Sequence, residues 1–398
     1  MELFDTTGEQ PESRQRSVEQ SEVAALAAKI ARLPHDGTLL TQRTATDIRQ
    51  GATIVRRARG HGWLWWMCYL LAGSVMLGLG VVAALRIFYH DGTFYLTWIN
   101  AFTRYVYLPA YLCLVWAGWQ RRWILALGSL AVVVCHLTWM APTVIPDRRF
   151  VLPPAAEAAA VAPPVRIFFA NVLQTNQEHD AMLKEIAAAK PDVIVLAEWG
   201  WRWHRAFQQS PLAADFVHGI SLAQPQWGGG VNVFSKLPLT IEMRNWIAGR
   251  LVRTADIQLG PHTLRIVALH APRPMHLTGY DYLGFWNQMI PLLSTETGPL
   301  LVIGDFNATE HSLVYQRLKA AGLRSAHDVR GRGYATTWPN DQNFPSLIRI
   351  DQAFLSPAVE CERIVEGRGR GSDHKPLVVD VRIRESVYRS PPPALAEE

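Results

Sequence analysis

The sequence predicts an α/β domain carried behind a membrane-spanning helical module. Charged residues are sparse between Trp63 and Ile145, whereas from Val165 onward short apolar runs bounded by turn signals alternate with stretches of helical spacing. The composition of 49% hydrophobic and 18% charged residues over 398 positions averages these two unlike halves. A net charge of +5, with many arginines near the apolar segments, does not demand a broad nucleic-acid-binding face. Cys68, Cys113 and Cys135 lie in the apolar half, so Cys361 cannot close a disulfide within the α/β domain.

The polar segment Met1–Glu22 is not followed by an apolar core with a cleavage site, so no cleaved signal peptide is expected. Residues 1–61 are expected to form a cytoplasmic, largely disordered arm, with a short surface helix over "SEVAALAAKIARL". "WLWWMCYLLAGSVMLGLGVVAAL" (63–85) carries no charge and matches the ~20 residues that cross a bilayer, with tryptophans at one end as anchors. The segment 123–145 reads the same way between Arg121–Arg122 and Arg148–Arg149, and His136 reads there as a tolerated polar residue. A third helix is expected over 98–119, with Arg104 reaching the interface and a kink at Pro109, completing a module over 62–146. Three passes and the basic clusters Arg56–Arg59 and Arg121–Arg122 place the N-terminus in the cytoplasm and the C-terminal domain outside a multi-pass membrane protein. The Ala/Pro-rich stretch 147–164 reads as a linker holding the domain slightly off the membrane.

Residues 165–386 form the α/β domain, followed by a disordered tail over 387–398. "VRIFFANV", "DVIVLAEW", "GVNVFSK", "LRIVALHAP", "PLLVIGDFNAT", "RIDQAFLS" and "DHKPLVVDV" are its strand-like runs, with helical spacing at Asp180–Lys190, Tyr282–Leu293 and Ser312–Ala321. Again and again a run ends in a residue able to bind a metal or move a proton: Asn171, Glu198, His270, Asp305 with Asn307, Asp351, and Asp373 with His374. A single such ending is ordinarily a turn residue, but the recurrence is not explained by turns. Glu198 and Asp373 are hard oxygen donors suited to Mg²⁺ or Mn²⁺, with Asn171 as a neutral oxygen ligand, and no thiolate cluster points to zinc. Asp305 and Asn307 are two apart and would share a face if the strand continued, one polarising water and the other fixing a substrate oxygen. A histidine paired with a carboxylate, as His374 would be with Asp351, could donate charge-assisted hydrogen bonds to a phosphoryl group.

In this order, "FFANVLQTN", "DVIVLAEW", "LHAPRP", "GDFNAT", "TTWP", "RIDQAFLS" and "GSDHKPLVVDV" resemble the motifs of the endonuclease/exonuclease/phosphatase, or DNase I-like, superfamily, and most of all its compact, membrane-anchored bacterial branch. The resemblance covers roughly 165–383 and implies a four-layer α/β sandwich, two mixed β-sheets face to face with helices outside. It implies Asn171 and Glu198 at the metal, joined by Asp373. His270 corresponds to the first catalytic histidine, Asp305 to the water-activating aspartate and Asn307 to a phosphate contact, with Asp351 as partner of His374. The family's further phosphate-contacting Arg or Tyr has only Tyr280, Tyr282 and Gln288 as counterparts. The implied activity is Mg²⁺-dependent hydrolysis of phosphoesters, with nuclease-type phosphodiester cleavage of DNA first. A lipid phosphodiesterase or sugar- or inositol-phosphate phosphatase is the alternative, and a non-catalytic membrane sensor a second. The implied partners are the phosphoester substrate, DNA or phospholipid, and the bilayer; no protein partner is expected.

Overall fold

The computed structural model describes residue 28 and residues 40–145, 162–219, 230–275, 280–341 and 344–384. The expected surface helix near residue 21, the linker up to residue 161 and the C-terminal tail lie outside those residues, apart from a helical Ala28. Two units divide the chain, Met1–Ala72 and Gly73–Glu398, and every contact below lies in the second.

Helix α1, Leu40–Tyr89, begins well inside the arm expected to be disordered, because Leu40–Arg59 is rich in good helix formers such as Ala, Arg and Gln. Its segment Trp63–Tyr89 and helix α5, Trp123–Val144, are the two helices among the described residues long and apolar enough to cross a membrane. Large apolar side chains on this module face outward, among them Leu77 (72% exposed), Leu112 (75%) and Ile124 (86%), the opposite of a soluble core helix.

The helix expected over 98–119 is instead three pieces: α2, Phe94–Ala101; α3, Thr103–Val106; and α4, Leu108–Trp119. The breaks fall at polar side chains that bond the backbone or residues outside the helix. Thr103 Oγ1 donates to Asn100 O at 2.6 Å, Asn100 Nδ2 donates to Asp91 Oδ1 at 2.7 Å, and Pro109 sits in the first turn of α4. Arg104 Nη2 lies 3.2 Å from Glu310 Oε1 of the α/β domain, so that domain is in direct contact with the segment that precedes the linker.

The α/β domain contains two six-stranded sheets. The first has the order β11 (Val359–Glu366), β12 (Leu377–Ile383), β1 (Val165–Asn171), β2 (Val193–Trp199), β4 (Gly230–Ser235), β3 (His218–Gly219). The second runs β5 (Leu239–Ile247), β6 (Arg250–Leu259), β7 (His262–His270), β8 (Leu300–Asp305), β10 (Asp351–Leu355), β9 (Arg324–Ser325). Both are mixed, because β1 pairs with β2 and β7 with β8 in parallel while the other pairs are antiparallel.

Strand alternation explains why the strands read as continuous apolar runs. In β1, Ile167 and Phe169 enter the core between the sheets with Val195, Ile266, Ile303 and Val379, while Phe168 and Ala170 face outward. The outward residues pack on α6 (His179–Ala189), α7 (Trp201–Gln208) and the short α8 (Leu212–Asp215) through Met182, Ile186, Trp203, Phe207 and Leu212. On the other outer face, Val267, Val302 and Phe354 meet α9 (Tyr280–Ser294) and α10 (Leu313–Ala320), chiefly at Phe285, Trp286 and Leu318. The order is helix, sheet, sheet, helix, the four-layer sandwich expected.

Candidate active site

Strand register brings the polar endings to one end of the sandwich. His270 at the end of β7 pairs with Asp305 at the end of β8, and Asp305 pairs with Asp351 at the start of β10. In the facing sheet Asn171 ends β1 opposite Ala197, and Leu377, three residues after His374, pairs with Phe169. Gly304 is required for this approach, since a Cβ there would lie 2.0 Å from Leu269 O on the neighbouring strand. The loop before β12 has a similar requirement at Gly371, with φ +73° and Asn176 Oδ1 2.1 Å from where a Cβ would be.

Glu198 is aimed by distortion of its strand. The β2–β4 register shifts between Leu196 and Trp199, and Glu198 has φ +58°, a left-handed conformation costing ~1–3 kcal/mol for a non-glycine residue. Leu196 and Trp199 both pack on the outer face, so the bulge removes Glu198 from simple alternation. Its Oε2 accepts from Gln174 N–H at 3.2 Å.

Asn171 connects the two carboxylates, its Nδ2 donating to Glu198 Oε1 and to Asp305 Oδ2, each at 3.1 Å. Its Oδ1, the oxygen expected at a metal, accepts from Leu173 N–H at 3.1 Å, and its NH₂ group faces the two carboxylates. Asp305 is buried; its Oδ1 accepts from Asn307 N–H at 3.0 Å, while Oδ2 lies 3.5 Å from His270 Nε2 and 3.8 Å from His374 Nε2. Asn307 donates its Nδ2 to Ala271 O at 2.9 Å. The Asp351–His374 pair forms as expected, with Nδ1 2.9 Å and 3.1 Å from the two carboxylate oxygens, both residues buried.

The two histidines differ in charge. Burial alone would lower the His374 pKa, but Asp351, Asp305 and Asp373 outweigh it and push the pKa up to about 10. Burial also favours a protonated Asp351 while His374 favours its ionised form; we place the shared proton on the imidazole because Asp305 and Asp373 face it too. Burial lowers the His270 pKa, with Asp305 and Glu198 only partly offsetting it, so His270 is neutral near pH 7.

Asp305, Asp351 and His374 have ligand atoms within 4.8 Å of one another. Both oxygens of Asp351 lie within hydrogen-bond reach of His374 Nδ1. The donors that suit a divalent ion are Glu198 and Asp373. Asp373 Oδ2 accepts from Trp338 Nε1 at 3.4 Å, whereas Oδ1 makes no hydrogen bond and lies 4.0 Å from His374 Nε2; a carboxylate oxygen with no donor is a hard ligand available to a divalent ion.

Arg273 was not identified as a site residue in the sequence. Its Nη2 donates to Glu198 Oε1 at 3.3 Å, and its half-exposed guanidinium is a cation beside the carboxylates. The available signal was a basic residue three positions after His270. Of the counterparts considered for a phosphate contact, Tyr282 borders the cavity above the site, Gln288 is exposed on α9, and the Tyr280 side chain lies outside the described residues. Ser372 and Thr337 also escaped notice: Ser372 Oγ donates to Asn171 O at 2.6 Å, and Thr337 Oγ1 accepts from Asp351 N–H at 3.2 Å.

Comparison with known proteins matches residues 167–374 to the model of the Endonuclease/Exonuclease/phosphatase family. No curated protein matches the chain. Among solved structures, an endonuclease/exonuclease/phosphatase from Beutenbergia cavernae is 17% identical with a TM-score of 0.41, over 56% of this chain and 72% of that one. The human Nocturnin catalytic domain with bound sulfate is 19% identical with a TM-score of 0.43, over 56% and 96%. A 3′ phosphatase from Neisseria bound to a product DNA hairpin is 18% identical with a TM-score of 0.44, over 54% and 98%.

Proposed function

The chain belongs to the endonuclease/exonuclease/phosphatase family, and from that premise we propose that it is a membrane-anchored, divalent-metal-dependent hydrolase of phosphodiester bonds. The support is the convergence of a carboxylate, Asp305, with the imidazolium of His374 3.8 Å away and a neutral His270 at 3.5 Å. Asp305 accepts the proton of the attacking water. Its position is held by Asn307 N–H on one oxygen and Asn171 Nδ2 on the other. His374, kept cationic by Asp351, donates to a phosphoryl oxygen, and Arg273 adds a second positive charge. Neutral His270 retains an N–H with which it can hydrogen-bond an oxygen of the reacting phosphoryl group. Mg²⁺ or Mn²⁺ held by Glu198 and Asp373 would neutralise charge that builds on the phosphoryl group.

In the same reading α1 beyond Trp63 and α5 cross the bilayer, and α4 folds back along α5 as a shortened third pass, with Tyr111 Oη 3.0 Å from His136 Nδ1. Basic residues at Arg56–Arg59 and Arg121–Arg122 support a cytoplasmic N-terminus and an extracytoplasmic catalytic domain.

The test is hydrolysis of bis-(p-nitrophenyl) phosphate by the full chain in lipid nanodiscs with Mg²⁺. EDTA should abolish turnover, and His374→Ala should lower kcat by ~10²–10⁴-fold. Activity retained in His374→Ala would refute the assignment.

A further inference from the structure

Above the site lies a cavity of 150 Å³ whose walls come from both sides of the linker. The floor includes Asn307, Asp373 and His374. One wall belongs to the catalytic domain, where Pro274, Met275 and Ile348 are apolar; the other is α2, through Trp98 and Ala101. This wall is built in place. Trp98 Nε1 donates to Pro274 O at 3.2 Å, and Asp91 Oδ2 accepts Leu313 N–H at 2.6 Å while its other oxygen accepts from Asn100. Asp91 thereby caps the N-terminus of α10, a favourable place for a carboxylate. Tyr105 Oη donates to Leu347 O at 3.0 Å, next in sequence to the cavity-lining Ile348.

The segment that supplies Trp98 directly follows the apolar helix Trp63–Tyr89 and precedes α4 and α5. Its surroundings expose aromatic residues, Phe88 (79%), Tyr89 (65%) and Tyr95 (65%), with the cavity-lining Met275 at 60%. Aromatic residues at a helix end mark the bilayer–water boundary. In the membrane-anchored reading, the site floor therefore opens beside an apolar wall close to the end of a bilayer-crossing helix.

We infer that the site takes a phosphoester borne on a membrane lipid, with Trp98 and its neighbours holding the first apolar segment next to the phosphoryl group. This rests on the hydrolase reading above and narrows its substrate. A nucleotide chain would set charged phosphate and sugar where the wall offers Trp98, Ala101, Pro274, Met275 and Ile348; an alkyl chain buries apolar surface there, and each buried methylene is worth about fourfold in affinity.

The experiment measures binding of ethyl phosphate and hexyl phosphate to the full chain in lipid nanodiscs by calorimetry, with empty nanodiscs subtracted, alongside a short single-stranded oligonucleotide. Hexyl phosphate should bind at least about tenfold tighter than ethyl phosphate. Trp98→Ala should bring that ratio close to one, whereas Trp98→Phe, which keeps the apolar wall and loses only the bond to Pro274 O, should preserve it. Equal binding of the two alkyl phosphates, an undiminished ratio in Trp98→Ala, or tighter binding of the oligonucleotide would overturn the inference. If chain-length discrimination is found but no phosphodiester is hydrolysed in a His374-dependent way, the catalytic reading fails while the lipid-phosphate site stands.

Discussion

Replacing Asp351 with Asn removes the carboxylate nearest His374 while keeping the shape of the site. In the native chain His374 titrates near pH 10 instead of its ordinary 6.5. At 1.36 kcal/mol per pH unit that difference corresponds to roughly 5 kcal/mol, shared among Asp351, Asp305 and Asp373. Loss of one partner from a buried pair costs ~3–5 kcal/mol by another route, so a loss of about 3 kcal/mol near pH 7 is expected. The sign follows from linkage: a histidine whose folded pKa is raised contributes fully below pH 6.5 and progressively less as pH rises, with nothing left above about 10. The native chain should therefore lose stability between those values, and Asp351→Asn should change far less over the same range. Thermal unfolding in detergent micelles across that window reads the stability, and ¹⁵N NMR of the labelled histidine rings reads the proton. A native His374 ring that deprotonates below pH 7, or equal pH slopes for the two proteins, would refute the reasoning.

Gly304→Ala should destabilise the fold by more than ~3 kcal/mol, because its Cβ would overlap Leu269 O and the β7–β8 pair carrying His270 and Asp305 would have to part; urea unfolding in detergent measures it. Glu310→Gln should cost ~3–5 kcal/mol in the same assay, because buried Glu310 faces Arg104 and the fully buried Arg349; a loss below ~1 kcal/mol would show that those cations do not depend on its charge.

The strand-ending polar residues were legible because each interrupts an apolar run that needs no polar group, and a strand end is where a sheet can present one. That the domain is α/β with many strands was legible for a related reason, since strands covered on both faces read as unbroken apolar runs; the two-sheet arrangement came only with the family resemblance. The direction of Asn171 was not, because an amide offers an oxygen and two donors alike, and only Leu173 N–H decides which end faces the site. Arg273 was hidden since its role depends on a bulge in β2 that turns Glu198 toward it. The division of 98–119 was hidden because its mean apolarity suits a membrane helix, and the side-chain bonds of Asn100 and Thr103 and the pairing of Arg104 with distant Glu310 are set by the fold. Trp98 read only as the start of that helix; nothing in the chain links it to Pro274, far downstream.

Asn171 belongs to the first sheet and Asp305 to the second, so the amide bridging Asp305 and Glu198 is a strut across the top of the sandwich. The spacing of the sheets and the separation of the two carboxylates are therefore one mechanical variable. Substitutions deep between the sheets, at Ile167 or Ile303 far from any reacting atom, act on the reaction through that variable: a thinner core draws the carboxylates together and a thicker one stretches the bridge.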